Sequence, residues 1–208
     1  MIRSLLTLIA SAAAYGFSIG LSNSWLYANR NLAKFPLLIL TTASVCSLLY
    51  HVLARFFGVR LSFLAVQRLV LAIFRDTALL LAALSPAICF LAATMPSPHD
   101  RAPGDYRRFL LFNVVAIAIC GCLAVYFRSR ERLLSNLARH EHRPMLVASW
   151  MLASLLVGGQ VCWYIRPFFG ATPGTADRPW FTGATPDQDG ATSFYEAVLH
   201  LIVPSSLR

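Results

Sequence analysis

The sequence predicts an all-α fold: a polytopic membrane helical bundle of about five transmembrane helices, with an interfacial amphipathic segment and a short C-terminal helix. Fifty-seven per cent of the 208 residues are hydrophobic and only 13% are charged, whereas soluble proteins are roughly half apolar and a quarter charged. The mean hydropathy is +0.61, and the apolar residues fall in runs long enough to cross a ~30 Å hydrocarbon core. We therefore divide the chain into a transmembrane bundle, residues 1–166, and an extramembrane tail, residues 167–208.

The first span covers residues 5–25. Gly16 and Gly20 lie on one face at a four-residue spacing, and small residues at that spacing let a second helix approach closely. A cleaved signal peptide is the alternative, because Arg3 precedes the apolar run and a short alanine stretch resembles a cleavage site. The apolar character continues past that stretch, which favours a retained and packed helix.

The second span is predicted over residues 35–57, after a polar link at 27–34. Pro36 falls in the first turn of that span, where its missing N–H loses no helix hydrogen bond.

Residues 61–94 form a helix-compatible run that is longer than one straight crossing requires. We interpret residues 61–74 as an amphipathic segment at the membrane surface. Residues 75–95 are then the third span, and Pro86 is expected to kink it because proline removes a helix hydrogen bond.

A proline-rich loop, 95–104, leads to a fourth span at 108–127. Residues 128–143 follow as the most polar stretch between two spans, with five arginines and two glutamates. The fifth span runs over residues 144–165.

The fifth span ends in the pattern R-P-F-x-G, formed by Arg166, Pro167 and Gly170 with intervening phenylalanines. We interpret this pattern as a folded corner that turns the chain out of the membrane. Ser193 and Glu196 have the spacing of a capping box, so a short helix should follow that is too short to span. We expect Arg166 to form an ion pair with Glu196.

The distribution of basic residues predicts the orientation. With five spans, ten of the 18 lysines and arginines lie on the side of the N-terminus, most densely in the 128–143 loop. Because cytoplasmic loops carry the excess of basic residues, we expect a cytoplasmic N-terminus and an outer C-terminal tail.

Two polar residues within the apolar runs are candidates for a transport pathway, Asp76 and Gln160. Ionisable side chains at membrane depth are costly and usually face a partner or a wet cavity. Arg75 and Asp76 are adjacent, so on a helix they diverge by about 100° and need not pair. They are either interfacial anchors or, for Asp76, a group that titrates or binds a cation along a pathway.

The sequence contains no pattern of a catalytic, metal or cofactor site. The five cysteines lie in apolar runs and read as small buried hydrophobes. His140 and His142 have no third ligand fixed by spacing, and His51 has no second histidine at matching depth for haem. The net charge of +9 lies mainly at the ends of apolar runs, which favours anionic lipid contacts over nucleic acid.

Several motifs resemble a broad group of uncharacterised bacterial polytopic inner-membrane proteins with an R-P-F-x-G exit motif, and, more loosely, Yip1-type five-span proteins. They are Tyr15-Gly16-x-x-x-Gly20, Lys34-Phe-Pro36, Ser85-Pro86, Arg166-Pro167-Phe168-x-Gly170 and Phe194-Tyr195-Glu196-Ala197. The resemblance implies a retained first span, an inner-membrane location and a tail that folds back as a unit.

The predicted function is that of a non-enzymatic integral membrane protein, a structural or assembly subunit of a bacterial membrane complex. Its partners would be membrane lipids and other membrane subunits or further copies of itself. An oligomeric channel or small-solute transporter is the alternative, with Asp76, Gln160 or the Ser85-Pro86 kink along the path. A lipid-active or trafficking role of the Yip1 type is the third hypothesis.

Overall fold

The computed structural model describes residues 2–96, 103–136, 143–168, 180–183 and 190–203. They form α1 (Ile2–Gly20), α2 (Trp25–Phe56), α3 (Phe63–Thr94), α4 (Pro103–Asn136), α5 (Arg143–Ile165) and α6 (Phe194–Ile202). The first five helices are long and apolar enough to cross a membrane. The prediction of an all-α chain with five spans and a short C-terminal helix is confirmed.

The five long helices run alternately up and down and pack into one bundle. Helix α1 packs against α2 and α3, and α2, α3, α4 and α5 each contact the next, with α5 returning to α2. We call the end where α1 begins the N-terminal end, and the opposite end, which carries α6, the α6 end.

Large side chains fill the interior of the bundle. Tyr50 and Trp150 are fully buried and stack with their ring centroids 4.7 Å apart. The Tyr50 hydroxyl lies 2.6 Å from the Ser154 hydroxyl, and the Tyr15 hydroxyl donates to Asn113 Oδ1 over 2.9 Å. The polar atoms of these buried aromatic residues are therefore satisfied within the core.

Two glycines allow α1 to lie directly on the backbone of α2. A Cβ at Gly16 would lie 2.5 Å from the backbone oxygen of Asn31, and a Cβ at Gly20 would lie 2.5 Å from the Cα of Ala28. Ala12, one turn earlier, is fully buried. This close approach is the geometry that small residues make possible in membrane helices.

Helix α2 begins earlier than the sequence analysis predicted. Ser24 is its N-cap and accepts a hydrogen bond from the Tyr27 amide, so the predicted polar link at 27–34 is wrong. Pro36 consequently lies inside the helix. The prediction failed because two polar side chains of this segment, Asn31 and Lys34, have buried partners elsewhere in the chain.

Helices α3 and α4 also differ from their predicted bounds. Residues 61–94 do not divide into a surface segment and a span, because α3 runs unbroken from Ser62, its N-cap, and passes through Pro86. Its first half is buried along one face, at Val66, Leu69, Val70, Ile73 and Phe74. Helix α4 extends through residues 128–136 of the predicted polar loop, whereas α5 follows its prediction.

Candidate functional site

The principal polar site lies at the α6 end, on the buried face of α2. Asn31 and Lys34 are 0% and 1% exposed. Their positions continue, toward the start of the helix, the periodic buried face that Leu38 and Thr42 form. The same periodicity that places apolar side chains in the core therefore places an amide and an ammonium group there.

Three successive backbone carbonyls at the end of α5 accept hydrogen bonds from other segments. Lys34 Nζ donates to Pro167 O over 3.0 Å, and Asn31 Nδ2 donates to Phe168 O over 2.6 Å. The Thr182 amide donates to Arg166 O over 2.9 Å. The Arg166–Pro167 peptide is cis. The corner predicted from the sequence is thus held by donors from α2 and from Thr182. Gly170, the last residue of the predicted pattern, lies outside the described residues.

Aromatic rings cover Arg30 and Lys34. We call these two residues, together with Asn31 and the carbonyls of residues 166–168, the corner site. The Trp180 ring centroid lies 5.7 Å from Arg30 Cζ and 5.9 Å from Lys34 Nζ. The Phe181 centroid lies 5.4 Å from Lys34 Nζ. A cation within about 6 Å of a ring centroid is attracted by the ring quadrupole, so these contacts hold residues 180–183 over α2.

Helix α6 is seated beside α5 rather than beyond its end. A Cβ at Gly159 would lie 2.6 Å from the Phe194 ring, and Gln160 Oε1 accepts from the Phe194 amide over 3.4 Å. The Tyr195 hydroxyl donates to the backbone oxygens of Leu155 and Leu156. Gly159 lies six residues before the end of α5, about 9 Å along its axis, so α6 begins at the level of the membrane-crossing helices.

The N-terminus of α6 is capped from within the tail. Ser193 Oγ accepts from the Glu196 amide over 3.3 Å, and the Glu196 carboxylate accepts from the Thr192 amide over 2.8 Å and its hydroxyl over 2.9 Å. Both bonds from Thr192 hold the pKa of Glu196 below its usual value. Among the described residues, Glu196 is therefore not the partner of Arg166, whose guanidinium lies 3.3 Å from the Trp163 ring centroid.

A second polar site lies between α3 and α4, toward the N-terminal end. Arg75 and Asp76 form an ion pair with an N–O distance of 2.7 Å, a pairing that their adjacent helix positions permit but do not require. Arg128 donates to the other oxygen of Asp76 and also to Glu131 Oε2, over 2.6 Å. Two arginines and two carboxylates thus form one network that joins the helices.

An open depression of about 540 Å³ adjoins this network, lined by Asp76, Phe127, Arg128, Arg130 and Glu131. The Asp76 side chain is 22% exposed, so the ion pairs are only partly buried. The other pathway candidate, Gln160, lies at the opposite end of the bundle against α6. The structure does not bring Asp76 and Gln160 together.

The described residues contain no group of three or more histidines, cysteines or acidic residues that could hold a metal ion. His51 packs edge-on against Phe63, with the centroids 5.6 Å apart. His140 and His142 lie outside the described residues.

Sequence reasoning missed Asn31, Lys34 and Arg128 as site residues. Extending the helical spacing of the buried residues of α2 toward its N-terminus would have identified Asn31 and Lys34. Nothing in the local sequence pairs Arg128 with Asp76, because the two are 52 positions apart.

Comparison with protein-family models, with curated proteins and with solved structures finds no match for the chain.

Proposed function

We propose that this integral membrane protein is a non-enzymatic structural or assembly subunit of a bacterial membrane complex. The observation that carries the proposal is the way α6 is held. Its first turn is bonded to α5, yet none of its residues is buried. Leu199 and Ile202 form an outward apolar stripe with exposures of 56% and 61%. A firmly seated helix with an apolar outer stripe is suited to contact another membrane component.

The position of α6 beside the membrane spans supports a partner within the membrane. Two amides of its first turn, those of Phe194 and Glu196, are satisfied by Gln160 and Ser193, which lowers the cost of placing a helix end at membrane depth. The partner is then a second membrane protein or another copy of this chain. We also propose a cytoplasmic N-terminus, from the distribution of basic residues, and an inner-membrane location, from the resemblance of the sequence motifs to bacterial inner-membrane proteins.

Photo-cross-linking in the native host tests the subunit role. We would place a benzoylphenylalanine at Leu199 and, as a matched control, at Leu48 of α2, which is 60% exposed. The proposal expects a discrete protein adduct from position 199 and lipid adducts alone from position 48. Lipid adducts alone from both positions would contradict it.

An oligomeric channel or small-solute transporter is the second candidate, and the open depression beside Asp76 favours it. The pairing of each carboxylate there with an arginine favours the structural role, because a pathway group needs a free charge to bind a cation. Measuring ion or solute flux across liposomes that contain only the purified protein distinguishes transport from the subunit role. Flux that Asp76→Asn abolishes would support transport and overturn the subunit proposal.

A further inference from the structure

Lys34 is a buried cation without a counter-charge among the described residues. Its side chain is at 1% exposure, and no ion pair of the described chain includes it. Its one hydrogen bond, to Pro167 O, leaves two of the three ammonium donors unused. Buried charges in proteins are normally paired, because an unpaired ion loses its hydration without compensation.

A second cation approaches the same ring. Arg30 and Lys34, one helical turn apart on α2, both lie within 6 Å of the Trp180 centroid. Like charges near one ring repel each other, which adds to the cost of burying Lys34. An anion bound to Lys34 would compensate its charge and fill its free donors.

Further polar atoms on this face of α2 have no partner among the described residues. The Tyr27 hydroxyl and Asn31 Oδ1 are buried and make no hydrogen bond, in residues that are 6% and 0% exposed. Tyr27 lies one turn before Arg30, with the ring centroid 5.8 Å from the guanidinium carbon. Its hydroxyl is a further unused donor on this face of α2.

The corner site also lies at the right height for a lipid headgroup. Lys34 contacts Pro167, two residues beyond the end of α5, and so lies at the boundary of that span. Trp180, 48% exposed, and Phe181, 46% exposed, cover it from outside. Tryptophan and basic side chains at this boundary are typical of contacts with headgroups.

We propose that Lys34 and Arg30 form an anion site at the α6 end that binds a phosphate group, with the Trp180 and Phe181 rings as its cover. The expected ligand is the phosphodiester of an anionic lipid, and free phosphate is the other source of the same chemistry. Phosphate suits the site because its several acceptor oxygens can bond the ammonium, the guanidinium and the tyrosine hydroxyl together. Thr182 ties the segment that carries the two rings to Arg166 O.

Ligand titration of the purified full chain in a neutral detergent tests the site. Dioleoyl phosphatidylglycerol should raise the melting temperature of the wild type, and dioleoyl phosphatidylcholine should not. Lys34→Met should weaken phosphatidylglycerol binding about tenfold or more, which corresponds to the loss of one charge-assisted contact. The matched control is Arg108→Gln, at the same end with an 87% exposed side chain, which removes the same charge and should leave the affinity within twofold.

Further variants keep the test decisive if Lys34→Met does not fold. Arg30→Gln alters a half-buried residue and should weaken binding in the same direction, whereas Trp180→Ala removes the cover and should strengthen it. Inorganic phosphate that competes with phosphatidylglycerol would identify free phosphate as a ligand of the same site. Equal binding of phosphatidylcholine, no binding by the wild type, or equal losses in Arg30→Gln and Arg108→Gln would overturn the proposal.

Discussion

Gly159 and Phe194 lie so close that a Cβ on the glycine would be 2.6 Å from the phenylalanine ring. The same Cβ would lie 2.9 Å from the Tyr195 hydroxyl. Real carbon contacts are not that short, so the seat of α6 exists only because position 159 has no side chain. The contact joins a membrane span to α6, which begins 35 residues later in the chain.

Gly159→Ala should therefore displace α6 from α5, at a cost of about 1–3 kcal/mol, the usual range for overpacking. Hydrogen exchange of the α6 amides should accelerate in the variant. Gly158→Ala is the matched control, because its Cβ would meet Thr42 at an ordinary 3.6 Å. Equal exchange rates in the two variants would show that α6 is not seated at Gly159.

Asn31→Ala should destabilise the corner at the end of α5. The substitution leaves Phe168 O, which accepts from Asn31 over 2.6 Å, without that donor in a buried setting. Leaving a buried acceptor unsatisfied costs about 1–3 kcal/mol, measurable as a lower free energy of unfolding in detergent. Asn29→Ala, at an exposed position of the same helix, should have little effect. A comparable loss in both would show that the hydrogen bond to Phe168 O is not the source of the cost.

Asp76→Asn should disrupt the network of ion pairs that joins α3 and α4. It weakens the contacts to Arg75 and Arg128 together, and hydrogen bonds to charged groups contribute about 1.5–3 kcal/mol in partly buried sites. Glu131→Gln is the control on the same arginine, because the Glu131 side chain is 65% exposed and an exposed pair contributes less than about 1 kcal/mol. A larger loss in the free energy of unfolding for Glu131→Gln than for Asp76→Asn would contradict the assignment of Asp76 as the centre of the network.

The features that the sequence predicted are those that depend on local pattern. The fifth span and the capping box at Ser193 follow from hydropathy and from residue spacing, which act within a few turns. The start of α2 could not be found in this way. Its polar residues are buried because the end of α5, 133 residues after Lys34, supplies their partners.

The candidate sites were predicted in part, for the same reason. Asp76 stood out as a charge in an apolar run, but its second partner, Arg128, belongs to a stretch that reads as a polar loop. Gln160 stood out as well, but its role depends on α6, which follows after a long tail. A single sequence shows which groups need partners and leaves open which distant groups provide them.

Glu196 gives the cap of α6 a defined dependence on pH. The amide and hydroxyl of Thr192 hold its pKa below the usual glutamate value, which is about 4.3 in an unfolded chain. The cap is therefore fully stabilising above that value, and its contribution is lost as the pH falls through the lower, folded pKa. The Thr192 amide chemical shift should titrate with a midpoint below 4.3. It should stay flat in Glu196→Gln, and a midpoint at or above that of a free glutamate would contradict the cap.

The glycine face of α1 provides the most direct test of the bundle itself. A Cβ at Gly16 would lie 2.5 Å from the backbone oxygen of Asn31 and 2.6 Å from Phe35 Cβ. Neither atom can rotate away, because one is backbone and the other is fixed to it. Gly16→Ala must then push α1 off α2, and we expect a loss of about 1–3 kcal/mol in the free energy of unfolding.

Gly121 is the matched control for Gly16, since it lies within α4 and a Cβ there would meet nothing within 4 Å. Gly121→Ala should leave the stability unchanged or raise it by up to about 1 kcal/mol, because alanine restricts the unfolded chain more than glycine does. Opposite signs for the two alanines would show that contact with α2, rather than glycine as such, matters at position 16. Equal gains in both variants would mean that α1 does not pack on α2 as described.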